Sequence, residues 1–203
     1  TALAAVFPVH SHYDHAMDTP EVAMRTNAVV YGSEATANIC RGWGLDEERI
    51  AIMSHQAPFQ LGAFTITPLV SKHFQFNDPE MVETMLTQSE IPEPLVPPVS
   101  AFDYKLGEAY VLLIEHPRGS ALVIGSAGFI PGQLEGIEAD VVFAGVGGLG
   151  SQTADVLFEG IDPIGRSVRV RGFPYRVIGV LEEKGTLFGQ SLAEWLLLPQ
   201  VEG

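Results

Sequence analysis

Short apolar runs alternate with polar turns along this chain, and the period of the runs changes from one stretch to the next. Residues 3–9 read as a buried strand that ends at the polar run His10–His15. Thr19-Pro20-Glu21 predicts a helix start, with Thr19 as N-cap and Pro20 at the first helical position, where its missing N–H costs nothing. Ala28–Tyr31 predicts a short strand. Ser33 then caps a second helix that ends near Gly42 or Gly44. Phe64–Val70 alternates and is rich in β-branched residues, so it predicts a strand leading into Lys72-His73. A β-α-β-α-β order of this kind is the signature of a layered α/β domain.

From Phe74 to Lys105 the periodicity is lost, and Pro79, Pro92, Pro94, Pro97 and Pro98 punctuate the segment. A loop this long is a functional lid or a solvated insertion, and the pattern leaves both open. Two strands follow, Ala109–Glu115 and Ser120–Gly125, joined by a tight turn at His116–Gly119. Asp140–Ala144 is a continuous apolar run suited to an interior strand. Beyond the glycine-rich stretch Gly145–Gly150 the chain reads as a short helix over Thr153–Phe158. A hairpin comes next, Ser167–Arg171 against Tyr175–Leu181, turned at Gly172–Pro174. The glycine-rich stretch lacks the Lys and spacing of a phosphate-cradling loop and is read as a turn.

Charge separates the two parts. Residues 1–150 carry 6 basic and 18 acidic side chains, a net of −12, whereas residues 151–203 carry 5 and 7, a net of −2. The total of −14 argues against a nucleic-acid partner, whose phosphates would be repelled. No apolar run reaches the roughly 18 residues needed to span a bilayer. Cys40 is the only cysteine, which excludes an internal disulfide; its helical context suggests a small, buried, inert thiol. Trp43 and Trp195 read as packing residues, and His55 and His116 as surface residues in turns.

The run HSHYDH at His10–His15 carries the chemistry. Residues two apart on an extended backbone point the same way, so His10 and His12 can grip one divalent ion, for which imidazole nitrogen is a preferred ligand. Asp14 and His15 follow where the chain turns and can face a second ion about 3.5–4 Å away. A plain polar turn would leave several imidazoles uncompensated beside a buried strand, which is costly.

HSHYDH resembles the H-x-H-x-D-H signature of metallo-β-lactamase-fold hydrolases. The flanking VVYGSE (29–34), SKH (71–73), LIEHPRG (113–119), GSAGF (125–129) and ADVVF (139–143) are similar to a bacterial branch related to ascorbate-phosphate lactonase-like enzymes. The resemblance covers residues 3–150 and implies an α/β fold, a partial αββα metallo-β-lactamase-like sandwich with its site at the strand ends. It implies that His10, His12 and His73 hold a first zinc ion and that Asp14 and His15 hold a second. Asp14 would also orient or deprotonate the zinc-activated water that attacks an ester, lactone or phosphoester bond of a small-molecule substrate. Ser126 stands where the family has a bridging aspartate, and no His follows His116 to supply the family's last ligand. One zinc is therefore expected, with two possible only if the second site makes do with fewer ligands. The family's opening strands are also absent before residue 3, which with Thr1 in first place leads us to expect missing upstream residues.

The tail resembles another family. LGSQTADVLF (149–158), DPIGR (162–166), GFPYRVIGVL (172–181), EKGTLFG (183–189) and LLLP (196–199) are similar to the periplasmic core domain of macrolide-exporter-type ABC transporter permeases. That domain serves assembly and coupling, so the resemblance implies a transporter partner and no catalytic residue. The expected organisation is thus a metallo-β-lactamase-like domain over 1–150 and a small hairpin-rich permease-like fragment over 151–203, joined near 147–151. A non-enzymatic interaction module and an inactive fusion are the rival expectations.

Overall fold

The computed structural model describes residues 3–74, 79–125, 130, 132–145, 164–170, 173–177, 179–180, 186–187, 190–191 and 195–199. The chain is α/β, as its patterning predicts, and divides into two compact units: residues 1–57 with 68–110, and residues 58–67 with 111–203. The expected boundary at 150 falls within the second unit, at residues outside the described set.

The first unit is built on three parallel strands, β1 (Ala5–Val6), β2 (Val29–Gly32) and β3 (Ile50–Ile52), with β2 in the middle. β1 is shorter than the strand expected over 3–9, because Pro8 brings no N–H to a ladder. Helix α1 (Tyr13–Ala16) follows the histidine run, and α2 (Thr19–Thr26) leads into β2. The N-cap of α2 is Asp18 rather than Thr19; the Thr19 hydroxyl donates back to the His15 carbonyl at 3.5 Å. Asn27, in the left-handed region at φ 61°, ends that helix.

Helix α3 (Glu34–Gly42) starts as expected at Ser33, whose hydroxyl accepts from the Thr36 N–H at 3.3 Å. Ala35 through Cys40 are all buried, so this helix has apolar neighbours on more than one side. Cys40 packs with Ala23, Val30 and Leu45; Ala35 and Ile39 pack with Ile91 and Tyr104 from the proline-rich segment. Burial pushes the Cys40 thiol up to about 12, in keeping with the inert role expected of it.

From residue 79 onward the proline-rich segment is not an unstructured insertion. It contains helix α4 (Pro79–Val82), a π-type turn (Glu83–Thr87) and a 3-10 turn (Ala101–Asp103). Its middle is tied to α3: the Leu95 N–H donates to the Asn38 carbonyl at 2.9 Å, and the Asn38 amide donates to the Ile91 carbonyl at 2.7 Å. The approach is close enough that a methyl group on Gly42 would overlap the Leu95 carbonyl. Gly42→Ala is therefore expected to cost about 3 kcal/mol or more, read as a lower urea midpoint. At Gly44, φ +81° but with open space around it, Ala should cost only about 1 kcal/mol, for backbone strain alone. Equal effects at the two positions would refute the packing of this segment on α3.

Strands β4 (Phe59–Leu61), β5 (Phe64–Ser71), β6 (Ala109–His116), β7 (Gly119–Ile124), β8 (Val141–Gly145), β11 (Gly179–Val180) and β14 (Trp195–Pro199) make one sheet in the order β11-β14-β8-β7-β6-β5-β4. β5 and β6 contribute residues to both units. The β6–β7 hairpin closes on His116↔Gly119, as its sequence predicts. β8 is interior and parallel to β7. β14 pairs antiparallel with β8 from Trp195↔Gly145 to Pro199↔Val141, so the end of the tail is a strand of this sheet. β9 (Ser167–Val170) and β10 (Phe173–Arg176) form a hairpin where one is expected, but its second strand ends at Arg176 instead of running to Leu181, and Gly179–Val180 pair with β14; β12 (Thr186–Leu187) pairs with β13 (Gln190–Ser191). The hairpin is tighter than expected: Phe173 and Pro174 belong to β10, opposite Val170 and Arg169, and not to the turn. A two-stranded ribbon has free edges, where Pro is tolerated. The expected helix over Thr153–Phe158 lies outside the described residues, as do residues 146–150 of the glycine-rich stretch.

Candidate metal centre

Between β1 and α1 the chain is a bent loop, with its backbone held at Val9 and Ser11. The Tyr110 N–H donates to the Val9 carbonyl at 2.7 Å, and the Ser11 N–H to the Leu106 carbonyl at 3.0 Å. His12 is not yet helical (φ −59°, ψ 153°), and α1 begins at the next residue. This break separates the donors into two sets: His10 and His12 on the loop before α1, which bends at both rather than running fully extended as expected, and Asp14 and His15 in a first helical turn. His73 arrives from elsewhere, two residues past the end of β5.

The structure brings all five residues together. Ring centroids lie 4.8 Å apart for His10–His12, 5.0 Å for His10–His73, 4.9 Å for His12–His73 and 4.0 Å for His10–His15. One ring nitrogen from each of His10, His12 and His73 lies within 4.8 Å of the other two, and the same is true of donor atoms from His10, Asp14 and His15. His10, His12 and His73 are buried; His15 is half-buried and Asp14 exposed, with Asp14 Oδ2 3.5 Å from His15 Nε2. His55 is exposed, and the half-buried ring of His116 lies 4.7 Å from that of Phe64.

Backbone carbonyls decide the tautomers of two rings. His12 Nε2 lies 2.9 Å from the Met85 carbonyl and His73 Nδ1 lies 2.9 Å from the Phe74 carbonyl. A carbonyl only accepts, so each of those nitrogens carries the proton. The lone pair of His12 is then on Nδ1 and that of His73 on Nε2. Histidines that ligate metals commonly hold their outer N–H in this way.

Burial sets the charge state. It lowers the pKa of His10 well below the usual histidine range, helped by the charges of His15, His12 and His73. Burial likewise lowers His12, against the Met85 bond and Asp14, which favour its cation. His73 is brought down to about 4, again mainly by burial. His15 is lowered by burial, with Asp14 opposing. At neutral pH these are neutral imidazoles with lone pairs to give, the form a divalent ion requires. The donor set therefore fits a zinc-type ion: three convergent neutral nitrogens, with a carboxylate and a fourth imidazole beside them.

The His10–His12 loop rests on three buried hydroxyls. Ser11 Oγ is 3.0 Å from both Ser33 Oγ and Thr36 Oγ1, which are 3.3 Å from each other. Gly107 (φ +62°) closes over them: a Cβ there would come within 2.6 Å of Ser33 Oγ and 2.7 Å of Ser11 Oγ. Sequence reasoning missed this cluster, though Ser11 between two histidines and a capping Ser33 were its visible traces. It also missed the Met85 and Phe74 carbonyls, for which no sequence signal exists. Ser126, where a bridging carboxylate was sought, lies outside the described residues.

Comparison with known proteins bears on the other end of the chain. Residues 124–201 match the family model of the MacB-like periplasmic core domain. The macrolide export ATP-binding/permease protein MacB of Azoarcus sp. (strain BH72) is 42% identical over 67 residues, 32% of this chain and 10% of that protein. The chain thus spans about a tenth of the length of that relative. The resemblance expected from residue 149 onward is therefore present, and the match begins earlier, at residue 124. No residue of the histidine cluster falls within it. Among solved structures, the metallo-beta-lactamase fold protein YhfI from Bacillus subtilis aligns with a TM-score of 0.36 at 19% identity, covering 60% of this chain and 40% of that one.

Proposed function

We propose that the chain is a zinc-dependent hydrolase that cleaves an ester, lactone or phosphoester bond at the histidine cluster. The observation that carries this reading is the convergence of His10, His12 and His73, three buried neutral imidazoles from two distant parts of the sequence. Burying three such groups around one point costs free energy unless something they ligate repays it. In this reading His10, His12 and His73 hold one zinc ion, which would supply Lewis acidity toward water and toward a carbonyl or phosphoryl oxygen. His12 gives its Nδ1 and His73 its Nε2, because Met85 and Phe74 hold the opposite nitrogens. Asp14, exposed at the rim, accepts the proton from the attacking water on a carboxylate oxygen. His10 belongs to both donor sets, and a neutral imidazole has a single lone pair. That supports one ion per chain over two.

The protein purified from zinc-supplemented medium is expected to hold close to one zinc per chain and to cleave generic ester, lactone or phosphodiester substrates. Activity should be lost to a chelator and restored by zinc. A chain that binds no zinc, or whose hydrolysis survives chelation, would rule the reading out.

A second reading is favoured by the family match over 124–201: an interaction module that contacts the periplasmic part of an exporter. In that reading the chain joins two parents near 147–151, with a metallo-β-lactamase-like part over 1–150 and a permease-like part over 151–203. Among the described residues no helix is long and apolar enough to cross a membrane. Saturable binding to an exporter's periplasmic segment, abolished when residues from 151 on are replaced, supports it; its absence rejects it.

A further inference from the structure

Ser11, the residue between His10 and His12, is 0% exposed. Its hydroxyl needs a partner, since a buried polar group left alone is costly. The partners come from the start of α3, where Ser33 Oγ and Thr36 Oγ1 each lie 3.0 Å from Ser11 Oγ and 3.3 Å from one another. A triangle has as many edges as it has hydroxyl protons, so each hydroxyl can donate once and accept once. Ser33 Oγ has a lone pair left over, and it accepts the Thr36 N–H at 3.3 Å. The triangle is thus closed on itself and anchored to a helix cap.

The loop lies between β1, which ends at Val6, and α1, which begins at Tyr13, and neither ladder nor helix reaches it. Bonds from Ser11 to Leu106 and from Tyr110 to Val9 fix where its backbone lies. Pinning the Ser11 side chain to α3 does something further. It sets the turn of the peptide planes on either side, and with them the directions in which His10 and His12 leave the chain. Gly107 presses on the triangle from the opposite side, its N–H donating to the Ser89 carbonyl at 2.7 Å. At its φ of +62° a Cβ would come within 2.6 Å of Ser33 Oγ, 2.7 Å of Ser11 Oγ and 2.8 Å of Ala35 Cβ. Only glycine lets the backbone approach the hydroxyls this closely.

We infer that the hydroxyl triangle of Ser11, Ser33 and Thr36 positions the metal centre: it holds His10 and His12 in the geometry that His73 completes, and so sets how tightly an ion is bound. The inference rests on the zinc site of the hydrolase reading, to which it adds residues that touch neither ion nor substrate. Donors held in place beforehand bind more tightly, because binding then spends little free energy on ordering them. Groups that hold metal ligands from outside are worth about 10–100-fold in affinity. The triangle acts through the backbone rather than on the rings, which puts its expected effect at the lower end of that range.

Two substitutions at one position test this in the full chain. Thr36→Val replaces the hydroxyl by a methyl of similar size, whereas Thr36→Ser keeps the hydroxyl and loses the methyl. Zinc affinity is measured by competition with a chromophoric chelator, and ligand geometry by the visible absorption of the cobalt(II) form. Thr36→Val is expected to bind zinc about tenfold more weakly, with altered cobalt bands. Thr36→Ser should match the wild type in both, although the lost methyl lowers its thermal midpoint. If the triangle served stability alone, affinity would follow the thermal midpoint instead. Ser11→Ala, which removes a hydroxyl without adding bulk, repeats the test and replaces Thr36→Val should that chain not fold. Wild-type affinity and cobalt bands in a folded Thr36→Val or Ser11→Ala chain overturn the inference, as does an equal loss in Thr36→Val and Thr36→Ser. In those cases zinc binding and hydrolysis by the wild type are untouched, and the hydrolase reading stands. Hydroxyl-dependent zinc binding in a chain that cleaves no ester supports the positioning role and removes the hydrolase reading. A wild-type chain that binds neither zinc nor cobalt ends both.

Discussion

His10→Ala combined with His12→Ala is expected to abolish zinc retention and to lower hydrolysis by about 1,000-fold or more. Changes to residues that merely support a metal ligand already cost roughly 10–100-fold in affinity or activity. Removing two of three direct donors should exceed that range. The double variant leaves His73 with Asp14 and His15, a set in which no pair of buried nitrogens converges. Folding is expected to survive, because alanine removes buried rings without leaving a charge, and the hydroxyl support under Ser11 remains. His116→Ala, on β6 and outside the cluster, is the matched control and should retain full zinc. Elemental analysis of the dialysed proteins decides the matter. Equal zinc in the double variant and the wild type would end the assignment of this site.

The parts of the site that were legible in the sequence are those written in local spacing. His10, His12, Asp14 and His15 lie within six residues, and the switch from loop to helix after His12 separates them as their order suggests. His73 was legible one step further out, since the alternation of Phe64–Val70 predicts the strand that delivers it. The β6–β7 hairpin was readable from its Pro-Arg-Gly turn for the same local reason. What could not be read depends on partners far away in the chain. The proline-rich segment has no period of its own, and its order comes from contacts of Ile91, Leu95 and Tyr104 with α3. The carbonyls of Met85 and Phe74 fix two tautomers, yet every residue has a carbonyl, so none is marked in advance. The pairing of β14 with β8 is similar: an apolar run announces a strand but not its neighbour. A division placed at 150 by sequence likeness and a compact unit that runs from 111 to 203 are thus different properties of one chain. The first is a matter of local sequence, and the second of which strands share a sheet.

Acid is expected to destabilise the metal-free protein by about 3 kcal/mol between pH 6.5 and pH 4 through His73 alone. Its pKa is near 4 in the folded chain, against an ordinary value of 6.5. Between those values the unfolded chain binds a proton that the folded one refuses. Stability therefore rises with pH across this window. It is fully present above about 6.5, declines as pH falls, and the loss is complete once pH drops below about 4. A difference of about 2.5 pKa units at 1.36 kcal/mol each gives the stated size. His10 and His12 are lowered by burial too and add in the same direction. Urea midpoints at pH 7.5, 5.5 and 4 measure the effect, and His73→Gln, which cannot take up a proton in this range, should flatten the slope. Zinc should shift the decline to lower pH, because an ion on the ring nitrogens competes with protons for the same lone pairs. A midpoint that holds steady from pH 7.5 to 5, with or without zinc, would mean that the imidazoles titrate as exposed groups, and a buried cluster waiting for a cation could not be sustained.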